Sequence, residues 1–281
     1  MKVSIIGPGL IGGSFALALK KRLEEVTIYG WDQNPDHLKA ASELGIIDEA
    51  VNSLQKAIEA SDWIILAIPV NAIEAILPQC LDNLQPDQVL VDFGSTKESI
   101  CHVADQHHKR AQFIAAHPIA GTEYSGPQAA FPGLYEDKVM IVCDEEKSAP
   151  EAIDSFRKLC KMIGMSTTYL KATEHDLHLA YVSHLSHVIA FGLSNTVLKQ
   201  EESDAHILDL AGSGFASTVR LAKSSPDMWT PIFLKNKGAI LDSLENYLEQ
   251  LTQFKSLLEN ESTDEIRAFL EKGRAIRKIL K

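Results

Sequence analysis

The chain has 281 residues, enough for one large domain or two moderate ones with a sizeable core, and its 45% hydrophobic and 23% charged residues are ordinary for a soluble protein. A formal net charge of -11 excludes the basic footprint that a nucleic-acid or anionic-membrane surface needs. Cys80, Cys101, Cys143 and Cys160 form no CxxC pair, which suits reduced cytoplasmic thiols with neither disulfides nor zinc. The chain opens MKVSIIG, a strand pattern and not a signal peptide, and no run reaches the length of a membrane span, so a cytoplasmic protein is expected.

Residues 3–6 are an apolar, β-branched run, followed by Gly7-Pro8-Gly9-Leu10-Ile11-Gly12 and a helical pattern over 14–21. A GxGxxG loop between strand and helix is the setting that binds a dinucleotide. Gly7 permits the turn, Gly9 lets the backbone approach a pyrophosphate, and Gly12 lets the helix close on the sheet, with Leu10 and Ile11 in the same loop. A second strand, 26–31, ends at Asp32, where an acid accepts hydrogen bonds from ribose hydroxyls. The Asp32 charge opposes a ribose 2′-phosphate, and Gln33-Asn34-Pro35 offers no cation to receive one, so NAD is expected over NADP.

A helix over 35–44, a strand over 63–67, a helix over 71–80 and a strand over 89–93 continue the alternation, which predicts a doubly wound parallel sheet of Rossmann type. Ile68-Pro69 either lines the cofactor groove or simply ends its strand. Asp92-Phe93-Gly94-Ser95-Thr96-Lys97 is a small-residue turn feeding a helix over 98–108. Ser95 there is an N-cap or a hydroxyl facing the nicotinamide and His117, and spacing alone favours the cap. The stretch 113–126, FIAAHPIAGTEYSG, enters as an apolar run and stops at His117-Pro118, which puts His117 at the carboxyl end of a buried strand, on the rim where α/β sheets bind ligands. A loop over 127–137, a strand over 139–143, a helix over 151–162 capped by a Ser148 to Glu151 capping box, and a strand over 166–170 complete an NAD-binding domain of residues 1–171.

No strand pattern remains after that point. Thr173 is placed to cap a helix reaching about residue 199, roughly 40 Å at about 1.5 Å per residue and long enough to be shared between subunits. Further helical stretches over 204–210, 217–222, 226–236, 237–258 and 264–279 predict an all-helical substrate-binding and dimerisation domain of residues 172–281, and hence a homodimer. Ala180, His184, His187 and Phe191 share one face at a period of about 3.6 residues, with His175 and His178 pointing elsewhere. His184 and His187 are either buried packing residues or hydrogen-bond donors into a substrate pocket. With no HExxH pattern and no carboxylate triad nearby, no metal is expected. Arg220, after Gly212-Ser213-Gly214-Phe215, is a candidate bidentate clamp for a carboxylate or a surface arginine. Trp229, at the start of the next helix, walls the pocket or simply packs.

Together GPGLIGGS at Gly7, DFGSTK at Asp92, AHPIAGTEYSG at Ala116, VSHLSHVIAF at Val182, GSGF followed by Arg220, and AKSSPDMW at Ala222 resemble the prephenate/arogenate dehydrogenase family, in order and over almost the whole chain. The resemblance implies NAD-dependent oxidative decarboxylation of prephenate to 4-hydroxyphenylpyruvate, or of arogenate to tyrosine, in tyrosine biosynthesis. It implies that His117 draws off the proton of the ring 4-hydroxyl, that Ser95 orients His117 and the nicotinamide, that Arg220 holds a substrate carboxylate, and that His184, His187 and Glu123 line the side-chain end of the pocket. Three positions depart from the pattern: Ala216 and Ser217 replace a basic-acidic pair, and Ser186 replaces a proline between the helix histidines. A 3-hydroxyacid dehydrogenase is the rival enzyme class, but its central helix resembles KxxxN, whereas this one reads Ser183-His184-Leu185-Ser186-His187. A non-catalytic dinucleotide-sensing dimer has no need for His117 and Arg220 together.

Overall fold

Val3, Ile5 and Ile6 are buried in β1 (Lys2–Ile6), which runs through the middle of the sheet in a computed structural model describing residues 1–279. The strand ends at Gly7, whose φ of +88° is a left-handed conformation open to glycine at little cost, and a Cβ there would lie 2.7 Å from the Ala67 carbonyl oxygen. The chain then enters α1 (Leu10–Arg22). The alternation continues through β2 (Thr27–Trp31), α2 (Pro35–Glu43), β3 (Glu49–Ala50), α3 (Leu54–Glu59), β4 (Trp63–Leu66), α4 (Val70–Asn83), β5 (Val89–Asp92), α5 (Glu98–Asp105) and β6 (Phe113–Ile119). After β6 come β7 (Val139–Cys143), α6 (Pro150–Met162) and β8 (Ser166–Leu170). β3 and α3 escape the sequence pattern because two strand residues and six helical ones are too short to show a period.

The eight strands stand in the order β3-β2-β1-β4-β5-β6-β7-β8. Strand order reverses between β1 and β4, so the crevice beyond their carboxyl ends is the Rossmann ligand position, with the glycine loop in it. The expected all-parallel sheet needs one correction, because β7 pairs antiparallel to β6. Between them lies only a loop with one short 3-10 turn, Pro127–Ala129, and without a crossover helix the chain can only fold straight back. β6 also runs past the predicted stop to Ile119. Its pairing with β5 ends at Ala115, so Pro118 interrupts no ladder on that side and lies opposite Met140 of β7. The loop is not slack: Tyr135 is fully buried and its hydroxyl donates to the Ile11 carbonyl at 2.6 Å, while Ser14 accepts from the Phe131 amide.

The Ser148 to Glu151 capping box does not form. Ser148 turns its hydroxyl to the Phe113 carbonyl at 2.6 Å, and Ala149 occupies the cap. α7 (Ala172–Leu179) begins one residue before Thr173, with Glu174 accepting from the Lys171 amide. A π-helical turn, Ala180–His184, then separates α7 from α8 (Leu185–Glu201). α9 (Ser213–Thr218) and α10 (Pro226–Lys235) follow, and the predicted helix over 204–210 reduces to a 3-10 turn at Leu208–Leu210.

All of these elements lie in one compact unit, Met1–Asn236. The second unit starts at Lys237 and contains α11 (Lys237–Glu259) and α12 (Thr263–Arg274), joined by the Phe254 and Phe269 rings at 5.2 Å. Among the described residues no helix is long and apolar enough to cross a membrane.

The carboxyl end of β5 carries a fully buried ion pair between Asp92 and Lys97, and Lys97 Nζ also donates to the Ala116 carbonyl at 2.8 Å. Burial raises the Asp92 carboxyl above its ordinary value and the Lys97 ammonium opposes that shift. Lys97→Met is therefore expected to cost about 3–5 kcal/mol in urea unfolding by stranding Asp92, and Lys97→Met with Asp92→Leu to recover much of it. A Lys97→Met single variant as stable as the parent contradicts this reading.

Candidate active site

His117 projects from β6 where the parallel part of the sheet has ended, and it is half-buried. Its Nδ1 lies 2.8 Å from His175 Nε2, and His175 Nδ1 lies 2.7 Å from Asp176 Oδ1. Asp176 accepts two further bonds, from the Lys97 amide on Oδ1 at 2.7 Å and from the Glu98 amide on Oδ2 at 2.9 Å. These amides open α5, so Asp176 fills the cap that spacing assigned to Ser95, from 79 positions away. Ser95 is half-buried on the same turn, and among the described residues no hydrogen bond joins it to His117.

The proton positions follow from this chain of contacts. Asp176 can only accept, so His175 Nδ1 carries hydrogen and His175 Nε2 holds a lone pair. His117 Nδ1 must then donate to it, which leaves His117 Nε2 with a lone pair. Burial, then His175, Lys97 and His184, hold the His117 imidazole well below its ordinary value, so the ring is neutral near pH 7.

Sequence reasoning placed His175 away from the site because it extended a period of 3.6 residues through one long helix. The π-helical turn inserts a residue, roughly 100° of rotation, between His175 and His184. The signal available in the sequence was the adjacent His175-Asp176 pair at the start of the helix.

His184 is 1% exposed, and its Nδ1 lies 3.0 Å from Asn236 Nδ2. His187 donates from Nδ1 to the Ser183 carbonyl at 3.0 Å and stacks on Trp229 with ring centroids 3.5 Å apart. Trp229 is buried, edge-on to His184 at 5.9 Å, and its indole nitrogen has no partner among the described residues. Arg220 is half exposed and lies 3.2 Å from Glu123. Trp229 thus joins His184 and His187 in one ring cluster, and burial, with the Arg220 charge adding to it, lowers the His187 imidazole. Ala216 and Ser217 are exposed on α9, and Ser186 is the second residue of α8, directly after the π-helical turn.

The glycine loop joins β1 to α1. A Cβ on Gly12 would come within 2.4 Å of the Gly7 carbonyl, whereas one on Gly9 would meet nothing closer than 3.9 Å. Gly126 stands at that ordinary contact distance, so packing within the protein does not demand a glycine at position 9. Leu10 and Ile11 form the first turn of α1, Ile68 packs toward Gly7, and Pro69 is exposed at the start of α4. Asp32 accepts from the Asn34 amide through Oδ1, and its Oδ2 is 3.6 Å from His37. Among the described residues, no group of three or more His, Cys, Asp or Glu side chains is arranged to hold a metal ion.

Two family models match, "Prephenate dehydrogenase, nucleotide-binding domain" over residues 15–169 and "Prephenate dehydrogenase, dimerization domain" over residues 171–272. The chain belongs to the prephenate dehydrogenase family. As a member it is an oxidoreductase. It is 30% identical over 266 residues to the prephenate dehydrogenase of Bacillus subtilis, covering 94% of this chain and 72% of that protein. It is 29% identical over 280 residues to the cyclohexadienyl dehydrogenase of Zymomonas mobilis, covering 99% and 96%. The crystal structure of prephenate dehydrogenase from A. aeolicus in complex with hydroxyphenyl propionate and NAD+ has a TM-score of 0.92 and 31% identity, covering 100% of this chain and 98% of that one.

Burial of four histidines predicts a fold that loses stability in acid. Burial lowers His117, His175, His184 and His187, with His184 brought from 6.5 to about 4. The unfolded chain takes up protons below about pH 6.5 while the folded one does not, so stability falls as pH drops through that value and, for His184, on to about 4. His184 alone accounts for a loss on the order of 3 kcal/mol. The urea midpoint is expected to fall between pH 7 and pH 5, and to fall less in His184→Gln. A midpoint independent of pH over that range contradicts the neutral cluster.

Proposed function

We propose that the chain catalyses the NAD-dependent oxidative decarboxylation of prephenate to 4-hydroxyphenylpyruvate in tyrosine biosynthesis. The observation carrying this reading is the hydrogen-bonded chain from His117 through His175 to Asp176, which leaves His117 Nε2 as an acceptor. The glycine loop at Gly7, Gly9 and Gly12 and the Asp32 carboxylate fit NAD, with Ser95 and the rim residues Ile68 and Pro69 assigned to the nicotinamide side. NAD, when bound, accepts the hydride that leaves ring carbon 4. His117 Nε2 takes the proton of the 4-hydroxyl, which is general-base work for a positioned imidazole. The positive charge it gains is stabilised through His175 by the buried Asp176 carboxylate. Loss of the ring carboxylate as carbon dioxide accompanies aromatisation, so orientation is the remaining demand on the protein.

Arg220 is assigned to a substrate carboxylate. Its single contact to Glu123 at 3.2 Å is an exposed ion pair, a weak restraint that a bidentate carboxylate displaces. His184, His187 and Trp229 form the side-chain end of the pocket, with Glu123 at its edge. The second reading is arogenate. His187 donates from Nδ1 to Ser183, which leaves Nε2 as an acceptor suited to an ammonium group, and the Zymomonas relative carries the broader name cyclohexadienyl dehydrogenase. We take residues 1–171 as the NAD-binding domain and 172–281 as the substrate-binding and dimerisation domain, supported by the break between the two family models at residue 170. Exposed Leu241, Leu248, Leu251 and Leu258 along α11 support a homodimer, which sedimentation tests and a monomer mass contradicts.

Absorbance of the reduced cofactor, followed with prephenate and with arogenate, tests the reaction and ranks the substrates. His117→Asn is expected to keep NAD affinity within a few fold and to lose about 10²–10⁴-fold in turnover. Arg220→Ala is expected to raise the prephenate KM by roughly ten- to a hundredfold with a smaller change in kcat. Normal turnover in His117→Asn contradicts the assigned base, and no signal with either substrate contradicts the reaction.

A further inference from the structure

Asn236 follows α10, is 5% exposed, and its amide nitrogen makes two bonds, to the Asp176 main-chain carbonyl at 2.6 Å and to His184 Nδ1 at 3.0 Å. The carbonyl of Asp176 can only accept, so the atom facing it is the NH2 and not the oxygen of the side chain. The same NH2 then donates its other hydrogen to His184 Nδ1, which must hold a lone pair. His184 is therefore the Nε2–H tautomer, a donor with its backward nitrogen already engaged.

We propose that Asn236 is a positioning residue that fixes His184 as a hydrogen-bond donor to an oxygen of the substrate side chain. The proposal rests on the dehydrogenase reading for the identity of that substrate, while the tautomer itself does not. Burial, with His175 from α7 and His187 from α8, lowers His184 to about 4 against the opposing charge of Asp176 from α7, while Trp229 from α10 stands edge-on to the ring. Asn236 also ties two parts of the site together. The residue whose side chain aims His175 has its backbone held by the same amide that sets His184. A carboxylate at position 236 accepts only, so it demands a hydrogen on His184 Nδ1 and inverts the arrangement.

The test combines ¹⁵N NMR of the imidazoles in the full-length free protein, with His184 assigned by comparison with His184→Gln, and steady-state kinetics with NAD and prephenate. In the parent, His184 is expected to be neutral with hydrogen on Nε2 at pH 7. In Asn236→Asp the hydrogen is expected on Nδ1, with the prephenate KM raised about tenfold, kcat changed less, and NAD affinity unchanged. Asn236→Leu, of similar volume but without either bond, is expected to release His184 into a mixture of tautomers and to raise KM without the Nδ1–H form of the Asp variant. Hydrogen on Nδ1 in the parent overturns the proposal, whatever the variants do. A tautomer inverted in Asn236→Asp with KM unchanged also overturns it. If the parent turns over neither prephenate nor arogenate, the dehydrogenase reading fails while the NMR arm still decides what Asn236 does.

Discussion

The Asp176 carboxylate is the contact on which the rest of the site depends. It accepts the first amides of α5 and the Nδ1 hydrogen of His175. The first pair joins the helix after β5 to α7, across 79 positions of chain. The third bond passes the geometry on to His117. A buried charge needs hydrogen-bonded partners, and three donors supply them to Asp176. Because the donors are two backbone amides and one imidazole, the carboxylate has one orientation, and the two rings beyond it inherit one tautomer each.

The same region is braced from below. Lys97, whose amide binds Asp176, sends its side chain the other way, to Asp92 and to the carbonyl of Ala116, the residue before His117. The ends of β5 and β6 are thus clamped by one residue, and His117 stands on a strand tied to the helix that carries His175. On the cofactor side, the loop after β6 closes over the glycine turn, with Gly126 beside Gly9 and Tyr135 hydrogen-bonded to Ile11. The segment that presents His117 therefore also borders the glycine loop.

The glycine loop, Asp32 and the rim position of His117 were legible in the sequence because each is a local pattern: strand, turn, helix, and a proline after an apolar run. The direction of β7 was not, since it depends on the absence of a crossover helix in a loop whose composition says nothing of its path. Ser95 read as a cap because caps are usually local, and the cap was Asp176, supplied by another helix. His175 was set aside on a period that a π-helical turn interrupts, and no run of residue types around Ala180–His184 announces that turn. Asn236 lies at the end of a helix with nothing in its neighbours to mark it. What escaped the sequence is in each case a contact between elements far apart in the chain.

The claim that His117 acts as a base because Asp176 sets it through His175 is tested most directly by replacing the middle member. Turnover with saturating NAD and substrate would be compared for the parent, His175→Gln and His175→Leu. Glutamine keeps an acceptor for His117 Nδ1 without the link to Asp176, and leucine removes both. The account predicts parent above glutamine above leucine, with the leucine variant losing about a hundredfold or more in kcat and NAD affinity held within a few fold. A leucine variant that turns over at the parent rate would contradict it.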